Sequence, residues 1–442
     1  MKNINQIYRI ISFVIFIVTF STSFLFSQTL ISKYVFTSNS GSYTSITGGT
    51  VWQSGTTLST NAVSSAITLP FTFNYNGVDY TSIYISNNGF VTFGSAPSAS
   101  DYAALSTTTS YSGAIAGYGF NLVASPVSGA SPEIRYEQVG STFIIQFQDL
   151  GRTGITGDKM NFQIQLEQTT NTIRIVYGTW AATSTTTSAS NFGQIGLRGS
   201  SNTDYSSRLV NATSPYNSWA SSGGSQSTLN TNIGTVRYNN TYLPTSGLTF
   251  QWTINSTYSA FPFSQNFEST PWNNRNSLRD AVDVTNMSTF PQIGNPSWKR
   301  HDEAVTNSLW ASISGAFTLG TSQGSGCARF HSYDASSGAK GYLDFFLNLS
   351  SAGNKTLIFD HINTTGIDAL QVALSTDGGI SFSNIGSSIG VSSSWTQIIR
   401  DLGNVTSPTC VLRFIATSDF GASDIGIDNV LVDLSPSPCT AP

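Results

Sequence analysis

The chain has 442 residues, of which only 10% are charged, with 28 Phe, 18 Tyr and 39 Gly and a formal net charge of −4. That length predicts two domains, and the absence of any Lys/Arg run or patch argues against nucleic acid or anionic membrane as partners. The three cysteines, Cys327, Cys410 and Cys439, all fall in the second half, so a packed core and not a disulfide framework must hold the fold.

The first element in chain order is a leader. Lys2 and Arg9 precede an apolar run from Ile10 to Phe26, and small Ser27 offers a cleavage position, which is the pattern of a secretory signal peptide over 1–27 with the mature chain starting at Gln28. An uncleaved anchor is the alternative, but the run is slightly short for a span and lacks a positive stop. No other stretch is long and apolar enough to cross a bilayer, so no membrane insertion is expected after cleavage, and the protein should be exported to the outer surface or the medium.

From 34 to 256 the sequence alternates in short strands. In "FTFNYNGVDYTSIYISNNGFVTFG" (71–94), Phe71, Phe73 and Tyr75 alternate, and Asn-Gly pairs at 76–77 and 88–89 mark hairpin turns. "FIIQFQDL" (143–150) predicts Phe143, Ile145 and Phe147 inward with Gln146 and Gln148 outward. "FQIQLEQTTNTIRIVYG" (162–178) predicts a hairpin with Phe162, Ile164 and Leu166 facing Ile173, Ile175 and Tyr177. One apolar and one wet face per strand indicates antiparallel sheets packed as a sandwich. The closest approach to a helix, "DYAALS" (101–106), is barely one turn, and the Ser/Thr run at 183–190 and the Gly/Ser stretch at 220–228 read as loops. Glu133 and Glu137 straddle Arg135 on one strand face, as expected of a salt-bridging edge.

A linker (257–263) precedes the second half, which is acidic: residues 260–434 carry 15 Asp/Glu against 9 Lys/Arg, whereas 28–256 balance at 8 and 8. "STDGGISF" (375–382) reads as a hairpin turn on Asp377-Gly378, although it also resembles a sialidase Asp-box with Ser381 and Phe382 replacing the final pair. In "DIGIDNVLVDL" (424–434), Ile425 and Ile427 lean one way and Val430, Val432 and Leu434 the other, with Asp428 on the second, apolar side. A buried unpaired carboxylate is costly, so Asp428 must be exposed, protonated or paired with a cation. The Pro-rich end "LSPSPCTAP" (434–442) reads as a linker, from 435 onward, to a further module, with Cys439 serving that module if Cys327 and Cys410 pair; three unpaired thiols are the alternative.

Two resemblances sharpen this. "LPFTFNYNGVDYTSIYISNNGFVTFG", "AIAGYGFNLV" (114–123) and "NFQIQLEQTTNTIRIVYG" resemble the nidogen extracellular domain over about 34–253, which implies an extracellular interaction module without catalysis. Where that family carries acidic residues, this chain has Gly119-Phe120-Asn121-Leu122. "FPFSQNFES" (261–269), "LSTDGGISFSNIG" (374–386) and "IGIDNVLVDL" (425–434) resemble the jelly-roll modules of the MAM and cleaved-adhesin type over about 260–434, a pairing at home in secreted surface proteins of bacteria that use type IX secretion. In such jelly rolls the first and last strands lie together, so the resemblance implies that Glu268 and Asp428 share a calcium site, a hard ion that takes six to eight oxygens. Asp302 and Asp424 are additional ligand candidates by spacing and family likeness. The competing reading makes Asp428 a turn cap and Glu268 a solvated edge residue.

The fold class expected is therefore all-β: two antiparallel sandwiches, 28–256 nidogen-like and 264–434 a jelly roll. The three histidines, His301, His331 and His361, lie in the second half and no Gly-x-Ser-x-Gly elbow accompanies them, so no enzyme activity is expected. Tyr216 and Trp219, in the small polar loop "SPYNSWASSGGS", either stack on a sugar or a partner protein or pin the loop to the sandwich; Trp272, Trp298 and Trp310 invite the same two readings. The function expected is an adhesin-like binding protein for glycans or extracellular matrix-type proteins, calcium-stabilised in its second domain. The alternative is a non-catalytic accessory region of a larger secreted protease or glycoside hydrolase.

Overall fold

In the computed structural model of the chain the described residues are 31–435, apart from 60, 186–187, 189–191, 203, 213–216, 226–234, 255–256, 269–285, 291–295, 303–319, 333–334, 364–365 and 422. The proposed leader, Tyr216, Trp272, Trp310 and Cys439 lie outside them. Among the described residues there is no α-helix, only two short 3-10 turns, Ile31–Lys33 and Gly55–Ser59.

Alternation builds the first sandwich. Its larger sheet runs in the order Tyr34–Ser40, Leu248–Ile254, Ile173–Tyr177, Met160–Glu167, Thr142–Arg152, Glu133–Val139, Thr50–Ser54, with Leu122–Ala124 also on Thr142–Arg152. The facing sheet runs Gly223–Ser225, Tyr205–Leu209, Gln194–Arg198, Gly113–Gly119, Phe90–Phe93, Val78–Ser86, Ile67–Tyr75. The predicted hairpin register holds: Phe162 pairs with Tyr177, Ile164 with Ile175 and Leu166 with Ile173. Asn76 (φ 53°) and Gly77 (φ 84°) make the left-handed two-residue turn between Tyr75 and Val78. The Gly/Ser stretch is not wholly loop, because Gly223–Ser225 adds an edge strand.

One expectation fails instructively. Gln146 is fully buried and Gln163 nearly so, because the segment around 42–48 lies over what was to be the wet face. Ile46 N–H donates to Gln146 Oε1 (2.9 Å), and Gln146 and Gln163 donate to the carbonyls of Ile46 (3.2 Å) and Thr44 (2.8 Å). The amides also bond in series, Gln165 to Gln163 (2.8 Å), Gln163 to Gln146 (2.9 Å), Gln146 to Gln148 (3.2 Å), and Gln148 to the Ser131 carbonyl (3.0 Å). Buried polar groups are tolerated when fully partnered, and here a strap of backbone supplies the partners.

The second sandwich, of jelly-roll type, sets the sheet Trp298–Asp302, Gly326–His331, Asp424–Leu434, Lys355–Asn363, Ser392–Gly403 against Met287–Phe290, Lys340–Leu347, Cys410–Thr417, Ala369–Ser375, Ser383–Asn384. Phe263–Gln265 pairs with Asp424–Leu434, Phe263 opposite Val432 and Gln265 opposite Val430, so the two ends of this half meet. Cys327 and Cys410 are both buried but sit on strands of different sheets and are not joined to one another. Ile31–Lys33 lies between the halves: Ile31 N–H donates to Asp204 Oδ1 (2.9 Å), and the charges of Asp204 and Asp377 act on buried Lys33 from the two sides.

Candidate functional site

The Asp424–Leu434 strand organises the site. Ile425, Ile427, Val430 and Val432 are all fully buried in the core. Strict alternation would split this set between two faces, but Asn429 takes a left-handed φ of 48° and the pairing with Lys355–Asn363 shifts register nearby, as a bulge requires. All four apolar side chains thus serve one core, and Asp428 turns away from it, correcting the expectation that it shares a face with Val430 and Val432.

Asp428 is nevertheless fully buried, and its cover is the loop at 320–326. Ser322 and Gln323 N–H groups donate to Asp428 Oδ2 (3.1 and 3.2 Å), and Asn429 N–H donates to Oδ1 (2.8 Å). Directly opposite on the neighbouring strand is Asp360, whose Oδ2 accepts from the Ser322 hydroxyl and from Asn429 Nδ2 (2.9 Å). Burial, with Asp360's charge adding to it, outweighs the three amide bonds and pushes the Asp428 carboxyl up to about 6. Glu268 grips the same loop from its other side: it accepts from Ser325 N–H (2.9 and 3.0 Å), Ser325 Oγ (2.8 Å) and Gly326 N–H (3.0 Å). Burial would raise Glu268, yet these bonds and the nearby Arg300 hold it below the ordinary carboxylate range.

The two residues expected to share a site therefore clasp one loop, at neighbouring points along it. Asp302 ends the Trp298–Asp302 strand opposite Gly326, beside Glu268; its side chain is outside the described set. Asp424 belongs to another cluster. Arg329 Nε donates to its Oδ2 (2.8 Å), Arg329 Nη2 also reaches it, and His331 Nδ1 lies 2.6 Å from Oδ1, so one oxygen is committed to an Arg329 ion pair and the other to the His331 ring. Among the described residues no three His, Cys, Asp or Glu side chains converge closely enough to hold a metal ion.

Trp219 is a core residue, 1% exposed. Its ring packs against Tyr118, Tyr177 and Trp180, and Nε1 donates to the Arg237 and Tyr242 carbonyls, both at 3.2 Å. It pins its loop and has no free face for a ligand. Trp298 is likewise fully buried, donating to the Gly341 carbonyl (3.0 Å). Asp377 forms the tight turn foreseen: its carboxylate accepts from Ser375 Oγ (2.6 Å) and from the Ile380 and Ser381 N–H groups (3.0 and 2.9 Å).

Sequence reasoning missed Asp360 as the partner of Asp428; its position on the polar phase of "LIFDHIN" was the available signal. It also missed an open groove of about 350 Å³ on the first sandwich, lined by Ile46, Ser54, Pro132, Glu133, Arg135 and Gln148 among others. Arg135 pairs with Glu133 through Nε and through Nη2 (2.9 Å), and its Nη1 donates to the Gly48 carbonyl (2.8 Å), which fixes two charged groups in a planar array beside apolar Ile46 and Pro132.

Residues 33–254 match the model of the NIDO-related family. Similar solved structures include the K1 cleaved adhesin domain of Lys-gingipain from Porphyromonas gingivalis W83, at 14% identity and a TM-score of 0.27 over 39% of this chain and 98% of that chain. A second is TmCBM61 in complex with β-1,4-galactotriose, at 15% identity and a TM-score of 0.24 over 34% and 87%; a third is a family 16 carbohydrate binding module, at 11% and 0.20 over 25% and 79%. At such scores these likenesses add nothing to the fold already traced. Among curated proteins no match is found.

Proposed function

The chain belongs to the NIDO-related family, and from that premise we propose that it is an exported, adhesin-like binding protein that holds glycans or matrix-type proteins at or outside the cell surface and does no chemistry on them. The observation that carries this reading is the groove bounded by Glu133, Arg135 and Gln148. Its fixed donors and acceptors, next to the apolar Ile46 and Pro132, suit the mixed hydroxyl and C–H surface of a sugar or an extended peptide. In the same proposal the chain divides into 28–256 and a MAM or cleaved-adhesin-type 264–434, and it leaves the cell through its leader by type IX secretion. The test is binding of the full secreted chain to arrays of glycans and matrix proteins. Arg135→Ala and Gln148→Ala should each abolish or sharply weaken the signal without lowering the melting temperature by more than a few degrees. Unchanged binding by both variants would overturn the assignment.

The second half we read as calcium-stabilised at the clasped loop. The donor set fits a hard cation: every side-chain donor is oxygen, and the facing Asp360 and Asp428 carry negative charge for which no basic group is among the influences acting on Asp428. Asp428 would hold the ion with Asp360 opposite it, while Glu268 and, by its register beside Gly326, Asp302 would fix the loop that closes over it. Bound calcium would supply charge neutralisation; the chain's own part is to hold the loop amides and carboxylates in place.

A further inference from the structure

A different set of oxygens gathers at the pole of the second sandwich where Gly326–His331, Lys355–Asn363 and Cys410–Thr417 end and Ala369–Ser375 and Asp424–Leu434 begin. Asp368, 1% exposed, has one carboxylate oxygen fully used: Oδ1 accepts from Ser332 Oγ (2.9 Å) and Asp419 N–H (2.7 Å). Its Oδ2 is buried and receives no hydrogen bond, and besides Ser332 the side-chain link of this carboxyl is to the Asp419 carboxyl, with which it could share a proton but which brings no donor of its own. Two more buried oxygens at this pole are in the same condition, Asn363 Oδ1 and Ser423 Oγ, both on fully buried residues. They converge on the same loops. Asn363 Nδ2 donates to the Asp368 carbonyl (2.9 Å), and a Cβ placed on Gly366 would stand 2.7 Å from both Ser423 Oγ and Asp419 Oδ2.

Leaving a buried oxygen without a donor is costly, more so if it is charged, so three on adjoining loops is an arrangement that calls for an occupant. A proton can serve Asp368 alone, and burial, with Asp419 beside it, does push that carboxyl up to about 7. A proton on Asp368 does not serve Asn363 Oδ1, an acceptor whose amide nitrogen is already bonded to the Asp368 carbonyl. We propose that this pole binds a hard, oxygen-preferring cation, calcium or magnesium, through Asp368 Oδ2, Asn363 Oδ1 and Ser423 Oγ with Asp419 beside them. Because no three acidic, His or Cys side chains converge among the described residues, the site relies on two carboxylates and neutral oxygens, a mixture that hard cations accept. It would tie the 366–368 loop to Ser423 and the 418–421 turn, which with it hold out Ile367 and Phe420, 84% and 57% exposed.

The experiment is calorimetric titration of the full chain with calcium chloride, and separately magnesium chloride, after chelator treatment. It is run on the wild type, Asp368→Asn and Ser423→Ala, each also in an Asp428→Asn background. Wild type should bind one of the two ions here, Asp368→Asn should lose that event, and Ser423→Ala should weaken it by about 10- to 100-fold. Ser423→Ala removes a hydroxyl with no partner, so the ion-free fold should be unharmed even if Asp368→Asn misfolds. The Asp428→Asn background separates this site from the clasped loop: loss there alone speaks to the other proposal. Binding by Ser423→Ala indistinguishable from wild type in that background, or no binding event for either ion, overturns this one.

Discussion

Replacing Asp428 by asparagine separates a carboxylate that awaits a cation from one that simply caps a loop. In the folded, ion-free protein Asp428 titrates at about 6 instead of the ordinary 3.8. Its folded value is raised, so the folded state favours the protonated form. The resulting penalty is absent below pH 3.8, grows between 3.8 and 6, and is complete above 6. A rise of that size amounts to about 3 kcal/mol. The substituted amide would keep an acceptor for the Ser322 and Gln323 N–H groups while removing the charge. With chelator at pH ~7.5, Asp428→Asn should therefore be more stable than wild type by up to ~3 kcal/mol, and at pH ~3.5 the two should coincide. With calcium at roughly a hundredfold excess over its dissociation constant, wild type gains about 2.7 kcal/mol and the variant little, so the ranking closes or inverts. Urea unfolding at both pH values, with and without calcium, measures all four corners; hydrogen exchange in Phe263–Gln265 and Gly326–His331 localises the change. A variant less stable than wild type in chelator at the higher pH, or a calcium effect equal in both proteins, would refute the reasoning.

Trp219→Ala should lower stability by ~3–5 kcal/mol, because it empties the junction of Tyr118, Tyr177 and Trp180; a loss below ~1 kcal/mol in denaturant melts would contradict its placement. Arg152 and Asp158, fully buried and 2.6 Å apart, should not survive separation: Asp158→Ala leaves the guanidinium uncompensated and is expected to remove about 3–5 kcal/mol, read by the same assay. Burial pushes His361 down to about 4 from its ordinary 6.5. Its neutral form is the folded one, so its contribution is intact above pH 6.5 and is lost as pH falls towards 4, by up to about 3 kcal/mol. His361→Leu should flatten that part of the stability–pH curve, and an unchanged slope would show that the histidine is not titrating in the unfolded chain alone.

Local hairpins were legible because their information is local. The pairing of Phe162 with Tyr177 follows from period-two alternation and a short polar turn, and Asn76-Gly77 names its own turn by the positive φ both residues tolerate. What alternation cannot report is cover. Gln146 reads as solvent-facing, and it is buried because Ile46, far earlier in the chain, folds across it. Trp219 sits in a loop of small residues, and the rings that enclose it come from other strands and turns. Asp428 was recognisable as out of place, but its assigned face was wrong by the one-residue bulge at Asn429, a backbone event with only a weak signature in an Asp-Asn pair. Asp360 went unnoticed since nothing in a single strand announces its neighbour across the sheet, whereas the meeting of Phe263–Gln265 with Asp424–Leu434 followed from the resemblance to jelly rolls.

The glutamines beneath the strap have a sense of direction. Thr44 and Ile46 offer carbonyls that can only accept and one amide that can only give, and these fix which way Gln163 and Gln146 point. Gln165 and Gln148 then inherit the same orientation, so dipoles line up head to tail from one strand to the next and finish at the wall of the groove. Such a row turns over together or not at all. A molecule settling in the groove that demanded the opposite end of Gln148 would set the N–H groups of two amides against each other one link inward, and the strap itself would feel the mismatch.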